Sequence, residues 1–211
     1  MKLYLNVPFA EKEEAKRLGA RWNPELKLWF VEIKDTVPSP LYRWLIEEAD
    51  YNLLAEDYSI VMASKPCWKC HEQTIVTTFI LDRYYELVHF DVDEGETFFY
   101  NWQDVHNLSF VSNITALDPS VLAKMGEANS HYRKTYSKAL EGSYFANNCT
   151  HCGMLQGDFN LYQEPSSIFY DCRDSEKFEK IITIDKPFKA KGNTALTAGS
   201  PEGIMIKIVG S

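Results

Sequence analysis

Two cysteine pairs, Cys67-Trp-Lys-Cys70 and Cys149-Thr-His-Cys152, constrain this chain more than any other feature. A C-x-x-C turn aims two thiolates at one ion and leaves neighbouring backbone amides free to donate to the sulfurs. Two such pairs supply the four ligands of a closed tetrahedral site, so Cys67, Cys70, Cys149 and Cys152 are the expected ligands of a structural Zn²⁺. Four thiolates leave no open position for a catalytic water, which argues for architecture rather than hydrolysis. Gly153 suits the tight turn after the second pair because glycine tolerates positive φ; the first pair carries His71 there. The pairs stand 78 residues apart, so the fold must return one end of a long insertion to the other, at an entropic cost that grows only slowly with length. A redox dithiol is the competing reading, and the second pair weakens it. His71 and His151 are candidates to replace a thiolate or to support one, and Cys172 stands alone as an ordinary thiol.

With 211 residues, 45% of them hydrophobic and 14% aromatic, the chain can build a core without metal or disulfide help. No apolar run approaches the roughly 20 residues of a membrane span, and the start "MKLYLNVPFAEKEEAK" lacks the pattern of a secretory signal. A reducing cytoplasm is the expected compartment. The formal charge of −8 excludes a protein that coats nucleic acid with its whole surface. Residues 1–34 run against that sign, with seven basic and five acidic side chains, a net of +2.

"KLYLNV" alternates as a half-buried strand, "AEKEEAKRLG" reads as a short helix ended by Gly19, and "KLWFVEI" reads as a second strand after the Asn23-Pro24 turn. This predicts a strand-helix-strand module over 1–36, with Trp22, Trp29 and Phe30 filling its small core. "DTVPSP", residues 35–40, marks the boundary. Residues 37–211 form the second domain. In it, "LYRWLIEEADYNLLAE" has helical rhythm, and five strand-like runs follow from "YSIVMA" to "LSFVSNI". Residues 117–142 predict two helices broken near Gly126 and started at Asp118-Pro119, while "DFNLYQ", "KIITID" and "IMIKIV" predict strands around a loop-like "KAKGNTALTAGSPEG". The fold class is α+β, a small N-terminal module followed by a larger β-rich domain with a zinc ribbon split by an insertion.

In the module, Lys12, Lys16, Arg17, Arg21 and Lys27 are candidate phosphate contacts, with Trp22 or Trp29 available to stack a base, an arrangement that suits single-stranded DNA. A solvated charged helix and two core tryptophans form the plainer reading, since Glu13 and Arg17 lie four apart. Elsewhere, "FDVDEGE" (90–96) gathers four carboxylates without calcium-loop spacing, and His89, His106 and His131 lack partners at catalytic spacing. There is no phosphate loop, G-x-S-x-G or H-E-x-x-H, so an enzyme is the least supported class.

"LNVPFAEKEEAKRLGARWNPELKLWFV" resembles a bacterial domain of unassigned function that accompanies TraC-type, primase-like plasmid proteins, through Val7, Pro8, Glu11, Ala15, Lys16, Gly19, Ala20, Trp22, Pro24, Lys27 and Trp29. More loosely, "GARWNPELKLWFVEI" is similar to the HARP domain of annealing helicases, which implies branched-DNA binding. The second part resembles uncharacterised bacterial proteins with a "CWKC" knuckle and a later "CxxCGxxQGDxxL", matched by Cys149, Cys152, Gly153, Gln156, Gly157 and Asp158. That resemblance implies zinc and a cytoplasmic setting but no reaction. The expected function is a non-enzymatic, zinc-binding accessory or adaptor protein associated with nucleic acid. The alternative is an acidic protein-binding module, inhibitor or immunity-like, for which the −10 outside the N-terminal residues would serve; an enzyme comes third.

Overall fold

The strands are β1 (Lys2–Leu5), β2 (Arg21–Asn23), β3 (Leu28–Glu32), β4 (Leu53–Ala55), β5 (Tyr58–Pro66), β6 (Gln73–Leu81), β7 (Tyr84–Val92), β8 (Thr97–Val105), β9 (Ser109–Leu117), β10 (Tyr132–Ser137), β11 (Gly142–Asn147), β12 (Phe178–Ile184) and β13 (Phe188–Leu196). Helices α1 (Lys12–Arg17) and α2 (Pro119–Ala128) are the α-helical elements among the described residues. The computed structural model describes residues 1–34, 37–47, 49–92, 97–170 and 175–196. These residues are mostly β-sheet with few helices, and no helix among them is long and apolar enough to cross a membrane.

Two compact units emerge, the first comprising Met1–Asn52 and Tyr85–Asp104, the second Leu53–Tyr84 and Val105–Ser211. The first is wider than the 1–36 module expected from sequence, because Leu41, Trp44 and Phe99 join Leu3, Leu5, Ala15 and Val31 in one core. Its sheet has the order β1-β3-β2, all antiparallel, so the module is a strand, a helix and a hairpin rather than strand-helix-strand. The helix α1 stops where Gly19 takes a φ of +87°, and the amides of Gly19 and Ala20 donate to the carbonyls of Lys16 and Ala15. Those two bonds form a Schellman cap, which needs a residue free of Cβ strain at the left-handed position. Asn23 Oδ1 accepts from the amides of Glu25 and Leu26 and shapes the hairpin turn. The buried Asn101 side chain accepts from Tyr4 N and donates to Lys2 O, standing in as a strand partner for β1.

Residues 41–56 do not form the expected helix. A 3-10 segment, Ser39–Trp44, ends in extended backbone at Leu45, and Leu53–Ala55 pair as β4. Trp44 is only 2% exposed and donates from Nε1 to Glu11 Oε2, while Arg43 pairs with Glu14, so this segment is tied to α1 by tertiary contacts.

In the second unit the strand order is β12-β5-β6-β9-β13-β4, and β11 of the β10–β11 hairpin bridges β9 at Phe145↔Ile114. Both faces are covered, which explains the nearly continuous apolar runs of β5 and β6. One face carries Tyr58, Phe79, Val111 and Phe188 against Val121 and Met125 of α2 and Tyr132 of β10. The other carries Val61, Val76, Ile80 and Phe110 against Leu161, Tyr162 and Phe169.

Three further expectations are corrected. Helix α2 runs through Gly126 and stops at Asn129, and residues 132–147 form a hairpin instead of a second helix. "DFNLYQ" contains a π-helical turn, Phe159–Gln163, in place of a strand. Residues 189–196, expected as the start of a loop, belong to strand β13. The predicted start of α2 matches the structure, with Asp118 accepting from Ser120 N. The carboxylates of Asp93, Glu94 and Glu96, residue Cys172 and the "IMIKIV" run fall outside the described residues.

Candidate metal centre

The first cysteine pair lies in the turn of the β5–β6 hairpin, closed by the Pro66↔Gln73 pair. The second follows β11 and is closed by an Asn148↔Leu155 bridge. The two turns repeat the same bonds: Cys67 N donates to Glu72 O and Cys149 N to Met154 O, while His71 N returns to Cys67 O and Gly153 N to Cys149 O. The residue after each pair takes positive φ, +65° at His71 and +69° at Gly153. A histidine therefore adopts the conformation that glycine adopts in the second turn, with the steric penalty that a Cβ brings there.

The four Sγ atoms lie within 4.8 Å of one another, and the Cys67–Cys152 and Cys70–Cys149 separations are both 3.7 Å. A tetrahedron with metal–sulfur bonds of about 2.3 Å has edges of about 3.8 Å, so the cluster has the dimensions of a four-thiolate metal site. Disulfides would need sulfurs about 2 Å apart. The amides of Lys69 and His151 point at Cys67 Sγ and Cys149 Sγ, each at 3.4 Å, and Cys152 N reaches Cys149 Sγ at 3.5 Å. Gln156, placed by its bond to Met154 O, donates from Nε2 to Cys67 Sγ at 3.3 Å.

These donors set the charge of the cluster. Burial alone would raise the Cys67 thiol, but the amides of Cys70 and Lys69 and the adjacent thiols outweigh it and bring it down to about 6. Cys149 is lowered despite its burial, through the amides of Cys152 and His151. At Cys70 the Glu72 amide favours the thiolate, yet burial and the three neighbouring sulfurs together drive it up to about 12. Four thiolates cannot gather here without a cation between them, and a dication removes that repulsion.

The long insertion is closed by side chains. Asn147 accepts from Thr77 N at 2.8 Å and donates to Thr77 O at 2.9 Å, completing a strand-like pair between β11 and β6. Thr150 N donates to Thr74 Oγ1, and the His151 ring contacts Gln73 O at 3.0 Å. The two histidines beside the knuckles are exposed, outside the sulfur cluster. The supporting roles of Asn147 and Gln156 had no signal in spacing alone, although Gln156 stands in the motif after the second pair.

Asp158, just beyond that motif, is 7% exposed and accepts from Asn113 N at 2.6 Å. Burial pushes its carboxyl up to about 7, against the opposing amide bond. The folded state therefore holds this proton above the pH at which the unfolded chain releases it. The Asp158 contribution to stability is full below about pH 4 and is lost as pH rises towards 7. An Asp158→Asn variant should close the gap: its melting temperature relative to wild type is expected to rise between pH 5 and pH 8. A constant difference across that range would contradict this.

The candidate nucleic-acid residues of the first unit are divided by strand alternation. Trp22 is 49% exposed, not core as expected, and meets Trp29 edge-on across the β2–β3 pair at 5.5 Å. Lys16 Nζ lies 6.0 Å from the Trp29 ring and also pairs with Glu13. Arg21 occupies the opposite face, over Phe30 and paired with Glu32. Lys12 caps the exposed Phe9 ring at 3.8 Å, Arg17 donates to Glu13 O, and Lys27 is exposed with φ of +54°.

Comparison with known proteins touches only this unit. Two proteins described as DNA primase TraC, both from Escherichia coli, are 48% identical over 46 residues and 46% identical over 41. The matches cover 22% and 19% of this chain but only 4% and 3% of those proteins. No solved structure matches the chain. Residues 2–45, ending where the 3-10 segment completes the first core, match the family described as a domain of unknown function, DUF5710.

Proposed function

We propose that this chain is a non-enzymatic, zinc-binding accessory protein of the bacterial cytoplasm that engages single-stranded or branched DNA through its N-terminal unit. It is read as an α+β protein whose second unit is a split zinc ribbon. The observation that carries the nucleic-acid reading is the half-exposed Trp22, seated on Trp29 beside Lys16. A flat π surface next to a cation suits an unstacked base and its phosphate. The ion pairs of Lys16 and Arg21 are exposed, so water screens them and they exchange readily for phosphate. Similarity to part of the TraC primases supports the DNA setting. Zinc is the ion that four closed thiolates best accommodate.

Fluorescence anisotropy of labelled single-stranded, duplex and forked DNA across a salt series tests this. Trp22→Ala is expected to weaken binding about tenfold, and Lys12→Ala with Lys16→Ala and Arg17→Ala to flatten the salt dependence by about two in log–log slope on single strands. Flat traces at low salt and micromolar protein would favour the alternative, an acidic protein-binding module.

A further inference from the structure

The metal unit carries a second surface of the same chemistry, built from different residues. Trp68, inside the first cysteine turn, is 54% exposed yet held in place, because its Nε1 donates to Leu155 O at 2.7 Å. Two residues earlier on the same loop, Gly153 lies under Arg133: the position a Cβ would take there is 3.9 Å from the Arg133 guanidinium. Loop 153–155 is thus flanked by an indole and a guanidinium, both exposed. The next residue after Trp68 is Lys69, also exposed. Thr135, which shares the Arg133 face of β10, is fixed by Asn148 Nδ2 at 3.0 Å.

Charge here runs against the rest of the molecule. Segment 131–138 contains Arg133, Lys134 and Lys138 with no carboxylate; segment 65–73 contains Lys65 and Lys69 against Glu72; segment 149–157 contains no fixed charge. These segments sum to +4 in a chain of −8, or +3 without Lys134, which lies over Phe145 on the β10 face opposite Arg133, and this stays positive after the roughly −2 of four thiolates around a dication. Lys69, Arg133, Lys134 and Lys138 form no ion pair among the described residues, unlike Lys16 and Arg21 of the first unit. β10 pairs with β11 alone among the described strands.

We propose that this surface binds single-stranded nucleic acid, with a base stacked on Trp68 and the flanking phosphates held by Lys69 and Arg133. An immobilised indole is a stacking platform whose ordering is already accomplished, and unpaired cations beside it match a phosphate backbone. The proposal goes beyond the reading of the N-terminal unit and shares no residue with it.

The test uses the full chain, with metal content measured for every variant, and labelled (dT)20 and (rU)20 in an anisotropy salt series. Trp68→Ala is expected to weaken binding about tenfold and Trp68→Phe to restore most of it. Lys69→Gln with Arg133→Gln should lower the log–log salt slope by about 1.4. Equal losses on both oligomers identify the shared backbone and bases as the ligand, whereas a loss on one alone names that polymer. Wild-type affinity and slope in both the Trp68→Ala and the Lys69/Arg133 variants overturn the proposal, even if Trp22→Ala abolishes binding. The reverse pattern, loss here with Trp22→Ala neutral, leaves this surface standing and removes the N-terminal one. Should Trp68→Ala shed metal, the Lys69/Arg133 variant decides, because neither side chain touches a sulfur.

Discussion

Stripping the metal, or replacing Cys149 by serine, is expected to lower the melting temperature of the second unit by about 10–20 °C, the largest single effect in this protein. The two cysteine turns end strands that are 78 residues apart in sequence, and their sulfurs meet within 4.8 Å. Without a cation, the opposed shifts at Cys67 and Cys70 keep at least part of the cluster protonated, and the attraction joining the turns disappears. Structural zinc contributes about 10 kcal/mol or more in small fingers, where it is nearly the whole fold. Here large apolar clusters share the work, and about half of that figure corresponds to the stated shift for a domain of this size. Calorimetry with elemental analysis checks it. One metal per chain should be found, and an unchanged melting curve after complete removal would falsify the structural role.

The second largest effect is expected at Asn147. Its side chain serves Thr77 N, Thr77 O and Thr77 Oγ1 and lies 3.4 Å from Asn129 Nδ2, all in buried surroundings. Asn147→Ala leaves both backbone groups of Thr77 without partners, and each such orphan costs about 1–3 kcal/mol. A loss of about 2–4 kcal/mol follows, measurable by urea unfolding. Because Asn147 sits two residues before Cys149, the same variant should also release metal faster to a chelator. Destabilisation below about 1 kcal/mol would mean that neighbouring groups re-pair these atoms. Asn101→Ala is the matching experiment in the first unit, where one side chain serves Tyr4 N and Lys2 O.

Local chemistry was legible wherever a residue type answers a local demand. The C-x-x-C spacing located both knuckles, Gly19 ended α1, and Asp118-Pro119 began α2, because ligand geometry, positive φ and unpaired helix amides act within a few residues. The apolar runs of β5, β6 and β9 were legible for the same reason. Segments with two local options were not. Residues 129–142 have enough helix formers to read as helix, yet Asn129 is held by Thr77 and Asn147, and Tyr132 is buried in the α2-side core, so the chain turns back as a hairpin. Residues 41–56 lose their helical rhythm because Trp44 gains more from the first core and from Glu11 than one turn of helix offers. Trp22 and Arg21, neighbours in sequence, face opposite sides of a hairpin whose register only the β1-β3-β2 sheet imposes. The sequence alone determined which four cysteines would be paired for a metal and where the strongest local signals, Gly19 and Asp118-Pro119, end or begin a helix. Tertiary packing decided which side chains meet across the 78-residue insertion, because burial and shared hydrogen bonds between distant strands outweigh the few tenths of a kcal/mol by which local propensities differ.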